Sequence, residues 1–329
     1  MSTHSVNIIE IAEVRAHENA ERLEIVPVGG WQAVVKKGQF KVGDRAVYIE
    51  PDYTVPTALP EFSFLHKPER DVHRLKAVRL RGTLSYGLLI PVPDRLSDRA
   101  VGDNVMEDLG IARYEPPVTN AGADDLPTDQ WPQVYSSKFD VENLQNYPDV
   151  LELGEPVIVT EKIHGANARY VYKDGVFYMG SRTRWLKPDA KHIWRRAADN
   201  EPSIQRFCEA NPGTVLYGEV YGSVQSLKYG AEPGQVRFAA FAAIEGGDWV
   251  DLDDVFDDPI YPVAPEVYRG PYDPAVVLPL AEQDSTVPGA PAGHMREGIV
   301  IVPVNERRND QIGRVALKHI SARYWESAA

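Results

Sequence analysis

From Val6 to about Pro93 the apolar positions fall into five short runs separated by glycine and proline: Leu23–Val28, Trp31–Val35, Arg45–Ile49, Leu75–Leu80 and Tyr86–Ile90. Runs this short and this rich in β-branched residues predict strands rather than helices. Within Leu75–Leu80, strict alternation would put Ala77 and Arg79 on one face and Lys76, Val78 and Leu80 on the other. Five such strands suit a small barrel, an architecture used by many nucleic-acid binders but not restricted to them.

Between Arg113 and Trp131 the pattern dissolves into a polar stretch rich in proline and glycine, which divides the chain into a barrel at 1–112, a linker at 113–131 and a second domain at 132–329. In the second domain the pattern predicts a helix at Val141–Tyr147 and a strand at Val157–Thr160. A hairpin through Lys173-Asp-Gly and a helical stretch at Ala190–Ala198 come next. Further strands are expected at Val215–Val220, Val236–Ala243, Gly298–Pro303 and Arg314–Ile320, with Pro271–Pro291 a surface loop. Strands that outnumber helices without βα alternation indicate an α+β fold class.

Composition narrows the setting. The 329 residues are 43% hydrophobic, enough for real cores. The amino terminus has no basic segment leading into an apolar run, and no stretch is long and apolar enough to span a bilayer, so a cytoplasmic protein without membrane association is expected. Cys208, the single cysteine, rules out an internal disulfide and reads as a small buried hydrophobe. The net charge of -13 would repel a polyanion as a whole. Locally the picture differs: Lys67, Arg70, Arg74, Lys76, Arg79 and Arg81 form one basic island, and Arg182, Arg184, Lys187, Lys191, Arg195 and Arg196 a second. Either island can equally be an ordinary solvated face.

The segment Glu161-Lys-Ile-His-Gly-Ala-Asn follows an apolar strand and precedes another, which places Lys162 near a strand end. Gly165 permits close backbone approach to a ligand, and His164 and Asn167 add hydrogen-bonding groups on the same short loop, as a phosphate site requires. A lysine that attacks phosphorus must first lose its proton, which calls for desolvation or nearby cationic charge. Further charged candidates are Arg182 in Ser-Arg-Thr, Glu219 in Tyr-Gly-Glu-Val, Glu297 in Arg-Glu-Gly-Ile-Val and Lys318 in Leu-Lys-His. Taken singly, each has a plainer reading as a turn residue, a solvated strand end or an edge-strand charge.

In order, however, the boxes Glu-Lys-x-His-Gly-x-Asn, Ser-Arg, Gly-Glu, Phe-x-x-Ile, Glu-Gly-Ile-Val and Leu-Lys across residues 132–329 resemble the covalent nucleotidyltransferases, the superfamily of ATP-dependent RNA and DNA ligases and mRNA capping enzymes. Lys-Ile-His-Gly-Ala-Asn is similar to the RNA ligase 2 family in particular, since DNA ligases and capping enzymes more often carry Asp where His164 stands. The resemblance implies a nucleotidyltransferase domain of antiparallel sheets with flanking helices. It also implies Lys162 as the nucleophile, with Lys318 acting on the α-phosphate. Glu161, His164, Gly165, Asn167, Arg182, Glu219 and Glu297 would bind nucleotide, and Glu219 and Glu297 would also hold metal. Phe241 would stack on adenine, with Phe238 the alternative.

Two departures stand out. Ile320 occupies a position where the family often has a second lysine, and the sequence ends soon after Lys318 without the carboxyl-terminal domains of DNA ligases or phage RNA ligase 2. The amino-terminal barrel resembles the OB module that precedes the transferase domain in a bacterial RNA ligase group. There Lys67–Arg81 and Tyr86, as a stacking platform, would contact substrate; a bracing role is the other reading. The resemblance thus implies an ATP-dependent RNA ligase that uses Mg²⁺ or Mn²⁺ and acts on RNA or an RNA-containing nicked duplex, with no obligate protein partner. A DNA ligase, a capping-type guanylyltransferase and an RNA-binding protein without catalysis remain as alternatives.

Overall fold

A computed structural model of the chain describes residues 5–68, 71–114, 124–136, 139–256 and 260–328. The chain divides into two compact units, Thr3–Pro117 together with Trp325–Ala329, and Val118–Tyr324. In the first unit, Ile8–Glu10, Arg45–Ile49 and Leu88–Pro91 form one antiparallel sheet. Arg15–Ala16, Leu23–Val28 and Trp31–Lys36 form a second, and Tyr53–Pro56, Val72–Arg74 and Ala112–Arg113 a third. Its core is built from Ile8, Val47, Ile49, Val55, Phe62 and Leu109, with Ile11, Val26, Ala33 and Phe40 in an adjoining cluster. Each such side chain removed from water stabilises the barrel by about 1.5–3 kcal/mol.

Two expectations for this unit are corrected. The run Leu75–Leu80 is a strand only over Val78–Leu80, paired with Thr83–Ser85 alone; Leu75 and Ala77 are buried while Val78, Arg79 and Leu80 are all exposed. A tight turn through Arg81 (φ +51°) and Gly82 (φ +91°) folds this hairpin back on itself, so it has no second sheet neighbour to impose alternation. Tyr86 is buried rather than presented: its ring stacks on Trp31 at 4.0 Å and meets the edge of Trp325 at 5.0 Å. Of the basic island, Lys67, Lys76, Arg79 and Arg81 are exposed, Arg74 is tied to Asp52 and lies over Tyr114, and Arg70 lies outside the described residues.

The second unit contains two sheets. In the five-stranded sheet the order is Glu142–Asn143, Leu317–Ile320, Gly298–Pro303, Pro156–Lys162, Glu266–Pro271, antiparallel apart from the first pair. In the six-stranded sheet it is Trp185–Leu186, Val176–Gly180, Ala166–Lys173, Val215–Gly222, Val236–Glu245, Asp248–Trp249, antiparallel throughout. The α+β expectation holds. Pro156–Lys162 is apolar almost without alternation because both its faces are covered: Val157 and Val159 enter one cluster and Ile158 another. Helices Ile193–Asn200 and Ser203–Ala210 cover one face of the six-stranded sheet over Tyr170, Val220 and Phe238, the second helix contributing the buried Cys208. The Lys173-Asp-Gly hairpin forms as expected, with Asp174 and Gly175 both at positive φ and Lys173 opposite Val176.

The helix expected at Val141–Tyr147 is instead the short strand Glu142–Asn143 and a single 3₁₀ turn, Leu144–Asn146, capped by the Asn143 side chain. Pairing with Leu317–Ile320 outweighs the local helical pattern. Nor is Pro271–Pro291 only a surface loop: it holds the helical turns Pro274–Val277 and Leu278–Glu282 and buries Val277, Ala281 and Val287. No helix among the described residues is long and apolar enough to cross a membrane.

Candidate active site

Pro156–Lys162 leaves the five-stranded sheet at Lys162, and the turn Ile163–Gly165 carries the chain into Ala166–Lys173 of the six-stranded sheet. This turn passes so close to Val215–Gly222 that a Cβ on Gly165 would stand 2.3 Å from the Val220 carbonyl oxygen and 3.0 Å from Glu219 Cγ. Glycine is required here by proximity, which brings the lysine turn against the strand that carries Glu219.

Lys162 Nζ lies 2.7 Å from Glu297 Oε1, and His164 Nδ1 is 3.5 Å from Glu297 Oε2. The His164 ring is further held by Ser226 Oγ at 3.2 Å and the Tyr324 hydroxyl at 3.4 Å. Asn167 stands opposite Glu219 in the sheet register, so both side chains leave the same face. Burial pushes Glu219 up to about 8, against the pull of Lys162 and with Glu297 adding to the rise. Burial would raise Glu297 as well, but Lys162 and His164 together hold it below its ordinary value. One lysine therefore faces two carboxylates, the buried Glu297 and the half-buried Glu219, and only Glu297 is compensated enough to stay below its ordinary value.

Register also places Lys318. Thr160 pairs with Val300 and Val300 with Lys318, so Lys318 shares with Lys162 the sheet face opposite Glu161. Arg182 Nη1 approaches Asp140 Oδ2 at 3.8 Å. Within the second basic island Arg184 pairs with Asp125 and Arg195 with Asp199, while Lys191 and Arg196 are exposed.

Glu161 is the candidate whose side chain is not brought to the lysine. Alternation turns it to the other face, where it is 1% exposed and accepts from Ser285 Oγ at 2.6 Å, Thr286 N at 2.7 Å and Thr286 Oγ1 at 3.1 Å. Arg296 Nε stands 3.3 Å away. The carboxylate is fully engaged by protein donors and anchors the segment that delivers Glu297, so nucleotide contact through this side chain is corrected to an anchoring role.

The two phenylalanines separate cleanly. Phe238 is 2% exposed beneath the helices, edge-on to Tyr170, and so close to Gly218 that a Cβ there would meet its ring at 2.2 Å. Phe241 is half-buried on the other face beside Phe139, ring centroids 4.5 Å apart. Phe238→Ala is therefore expected to cost about 3–5 kcal/mol of stability. Phe241→Ala should lower the melting temperature far less and raise the KM for ATP about tenfold; thermal melts alongside nucleotide titrations check both.

Sequence reading did not single out Ser226, Tyr229, Ser285, Thr286, Arg296 or Tyr324. Arg296 stands beside Glu297 in Arg-Glu-Gly-Ile-Val but was passed over there; the others belong to no quoted motif and meet the site through contacts distant in sequence. Three acceptor groups meet at the site: Glu219, Glu297, whose Oε2 faces His164 Nδ1 at 3.5 Å, and Asn167 Oδ1, which is buried without a hydrogen-bond partner. Carboxylate and amide oxygens suit a hard divalent cation. Among the described residues no group of three or more His, Cys, Asp or Glu converges as a closed metal cage. The donor set fits an ion that keeps most of its waters and shares substrate phosphates.

A family model described as RNA ligase matches residues 155–320, slightly over half of the chain, and an OB-fold domain model matches residues 5–92. No curated protein sequence matches the chain. Among solved structures, Naegleria gruberi RNA ligase with PPi is 26% identical, with 98% of each chain covered and a TM-score of 0.77. A mutant of that enzyme with AMP and Mn is 26% identical over 98% of each chain at a TM-score of 0.78. Another mutant, with ATP and Mn, is 26% identical over 98% of this chain and 97% of that one at a TM-score of 0.76.

Proposed function

The chain belongs to the RNA ligase family, and we propose that it is an ATP-dependent enzyme that joins RNA 3′-hydroxyl and 5′-phosphate ends at nicks, through AMP bonded to Lys162. The observation that carries this reading is the half-buried Lys162 at a strand end, 2.7 Å from Glu297 and flanked by Glu219. Two acids beside a surface lysine serve no purpose; beside a nucleophile at a triphosphate site they would hold the divalent cation whose charge offsets their own and eases loss of the lysine proton.

In the first step the partly exposed Lys162 ammonium gives up a proton to solvent, its Nζ lone pair attacks the α-phosphorus of ATP, and the bond to pyrophosphate breaks, pyrophosphate leaving with the electron pair. Glu297 Oε1 holds the Nζ in place until that proton leaves. AMP then passes to an RNA 5′-phosphate, and a 3′-hydroxyl displaces it to close the strand. Lys318 and Arg182 supply positive charge toward the phosphates, and Asn167 and Phe241 orient the nucleoside. Glu219 and Glu297 would hold a divalent cation, Mg²⁺ or Mn²⁺, which supplies charge neutralisation at the phosphates when bound.

The test is incubation with α-labelled ATP and Mg²⁺ or Mn²⁺, followed by addition of a 5′-phosphorylated nicked RNA duplex. Label should appear on the protein, move to the RNA 5′-end and leave as AMP on sealing. An unlabelled protein would sink the ligase reading, label from GTP in place of ATP would make it a guanylyltransferase, and preferential sealing of an all-DNA nick would make it a DNA ligase.

The barrel, proposed as residues 1–112, is the RNA-holding part in this reading. The four exposed cations of its basic island, Lys67, Lys76, Arg79 and Arg81, are the contacts proposed. Arg79 meets Glu326 at 3.1 Å, an exposed pair too weak to withhold it from phosphate. Four phosphate contacts predict that log affinity for nicked duplex falls with log salt at a slope of about -3 to -4, measurable by fluorescence anisotropy. A flat salt dependence would reduce the barrel to a brace.

A further inference from the structure

Tyr229 is far from every motif and takes a conformation that its side chain makes costly. Its φ of +50° lies in the left-handed region, where a residue with a Cβ pays about 1–2 kcal/mol. The neighbouring Gly230, at φ +69°, passes so close to Gly289 that a Cβ would meet the Gly289 carbonyl oxygen at 2.1 Å. Strain of this kind persists only where the surroundings over-determine it.

Here they do. The Tyr229 N–H donates to His294 Nε2 at 3.2 Å, and its carbonyl accepts from Arg237 Nη1 at 3.2 Å. The ring stacks on His294 at 4.8 Å and meets Tyr221 edge-on at 5.5 Å. The residue is completely buried. All this directs the phenol to one place, where its oxygen accepts the backbone N–H of His164 at 2.7 Å, across 65 residues of sequence. Burial holds the phenol protonated, well above its ordinary range, with the nearby acids adding to the effect, so the group stays a neutral hydroxyl.

His164 lies in the turn after the lysine strand, beyond the reach of the sheet ladder. Without that hydroxyl its partly buried N–H would lose the protein partner that fixes it, and the backbone would be free to shift in search of another. We infer that Tyr229 is a positioning residue for the nucleophile: its hydroxyl sets the backbone of the Ile163–Gly165 turn, and through it the reach of Lys162 Nζ toward the α-phosphorus. The inference rests on the reading of Lys162 as the adenylylated residue. A displacement near 1 Å at a reacting atom is enough to slow a step about 10²-fold.

The experiment uses Tyr229→Phe, which removes the hydroxyl and keeps the ring stack. The rate of protein adenylylation by ATP should fall at least about tenfold, with the KM for ATP changed less than about threefold. Sealing of a nick whose 5′-end is already adenylylated does not call on Lys162 as a nucleophile, and should stay within about threefold of the unsubstituted protein. Unchanged adenylylation would overturn the inference, and so would an equal loss in both reactions, which marks a merely structural role. Hydrogen exchange on the unsubstituted protein gives a reading independent of how the variant folds: the His164 amide should exchange slowly, and exchange at the rate of an exposed amide overturns the inference. If the unsubstituted protein takes no label from ATP, the ligase reading itself fails, while the amide measurement still reports on the Tyr229 contact.

Discussion

Lys162→Arg is expected to abolish covalent labelling by α-labelled ATP, a loss of at least about 10³-fold, while the protein still folds. Arginine is the informative substitution because, on the proposed mechanism, Lys162 has two roles that alanine would remove together. Its charge compensates the buried Glu297, 2.7 Å away, and taking one partner from such a pair costs about 3–5 kcal/mol. Lys162→Ala therefore combines the loss of a nucleophile with the loss of an ion pair. A guanidinium keeps the positive charge beside Glu297 but has no amine lone pair to offer to phosphorus. Labelling assays and thermal melts separate the two contributions. Arg should be unlabelled with a melting temperature near that of the unsubstituted chain, and Ala unlabelled with a lower one. A labelled Lys162→Arg protein would place the adenylate on another residue and remove the basis of the mechanism.

Glu297→Gln is expected to slow both the labelling step and the sealing of pre-adenylylated ends by about 10²–10³-fold, the usual cost of removing one preorganised charge. Glu297 is the site's ionised acid: Lys162 at Oε1 and His164 at Oε2 hold it below its ordinary value despite its burial. Glutamine fills the same volume, so packing against Gly298 and the lysine strand survives. What disappears is the charge that fixes Lys162 Nζ and that would draw a cation. Loss in both reactions is the mark of a group that serves the phosphates throughout, in contrast to Lys162→Arg, which should spare sealing of ends already carrying AMP. Single-turnover assays on the two substrates decide. An effect limited to labelling would make Glu297 a partner of the lysine alone.

The site was legible in the sequence to the extent that its members carry unusual chemistry in a set order. Lys162, Gly165, Asn167, Glu219 and Glu297 sit on strands or turns whose short apolar runs mark their own positions, and the structure gathers all five. Glu161 shows the limit. Its place next to Lys162 made it look like part of the nucleotide site, yet one step along a strand reverses the face, and the carboxylate points to Ser285, Thr286 and Arg296. Tyr86 failed for a related reason: an aromatic on a strand-rich unit is as apt to fill the core as to stack on a base, and only its contacts with Trp31 and Trp325 tell which.

Local pattern by itself determined long strands such as Leu23–Val28, Trp31–Lys36, Val215–Gly222 and Val236–Glu245, the Asp174-Gly175 turn and the position of the lysine at a strand end, because hydrophobic period and turn chemistry act over a few residues. Only the tertiary structure decided which side chains serve Lys162. The partners of the lysine turn, Glu297, Ser226, Tyr229 and Tyr324, lie between about sixty and one hundred and sixty residues away. What brings them together is the pairing of separate strands and the burial of polar groups that must each find a partner. Such requirements apply to the folded chain as a whole, and no window of sequence contains them.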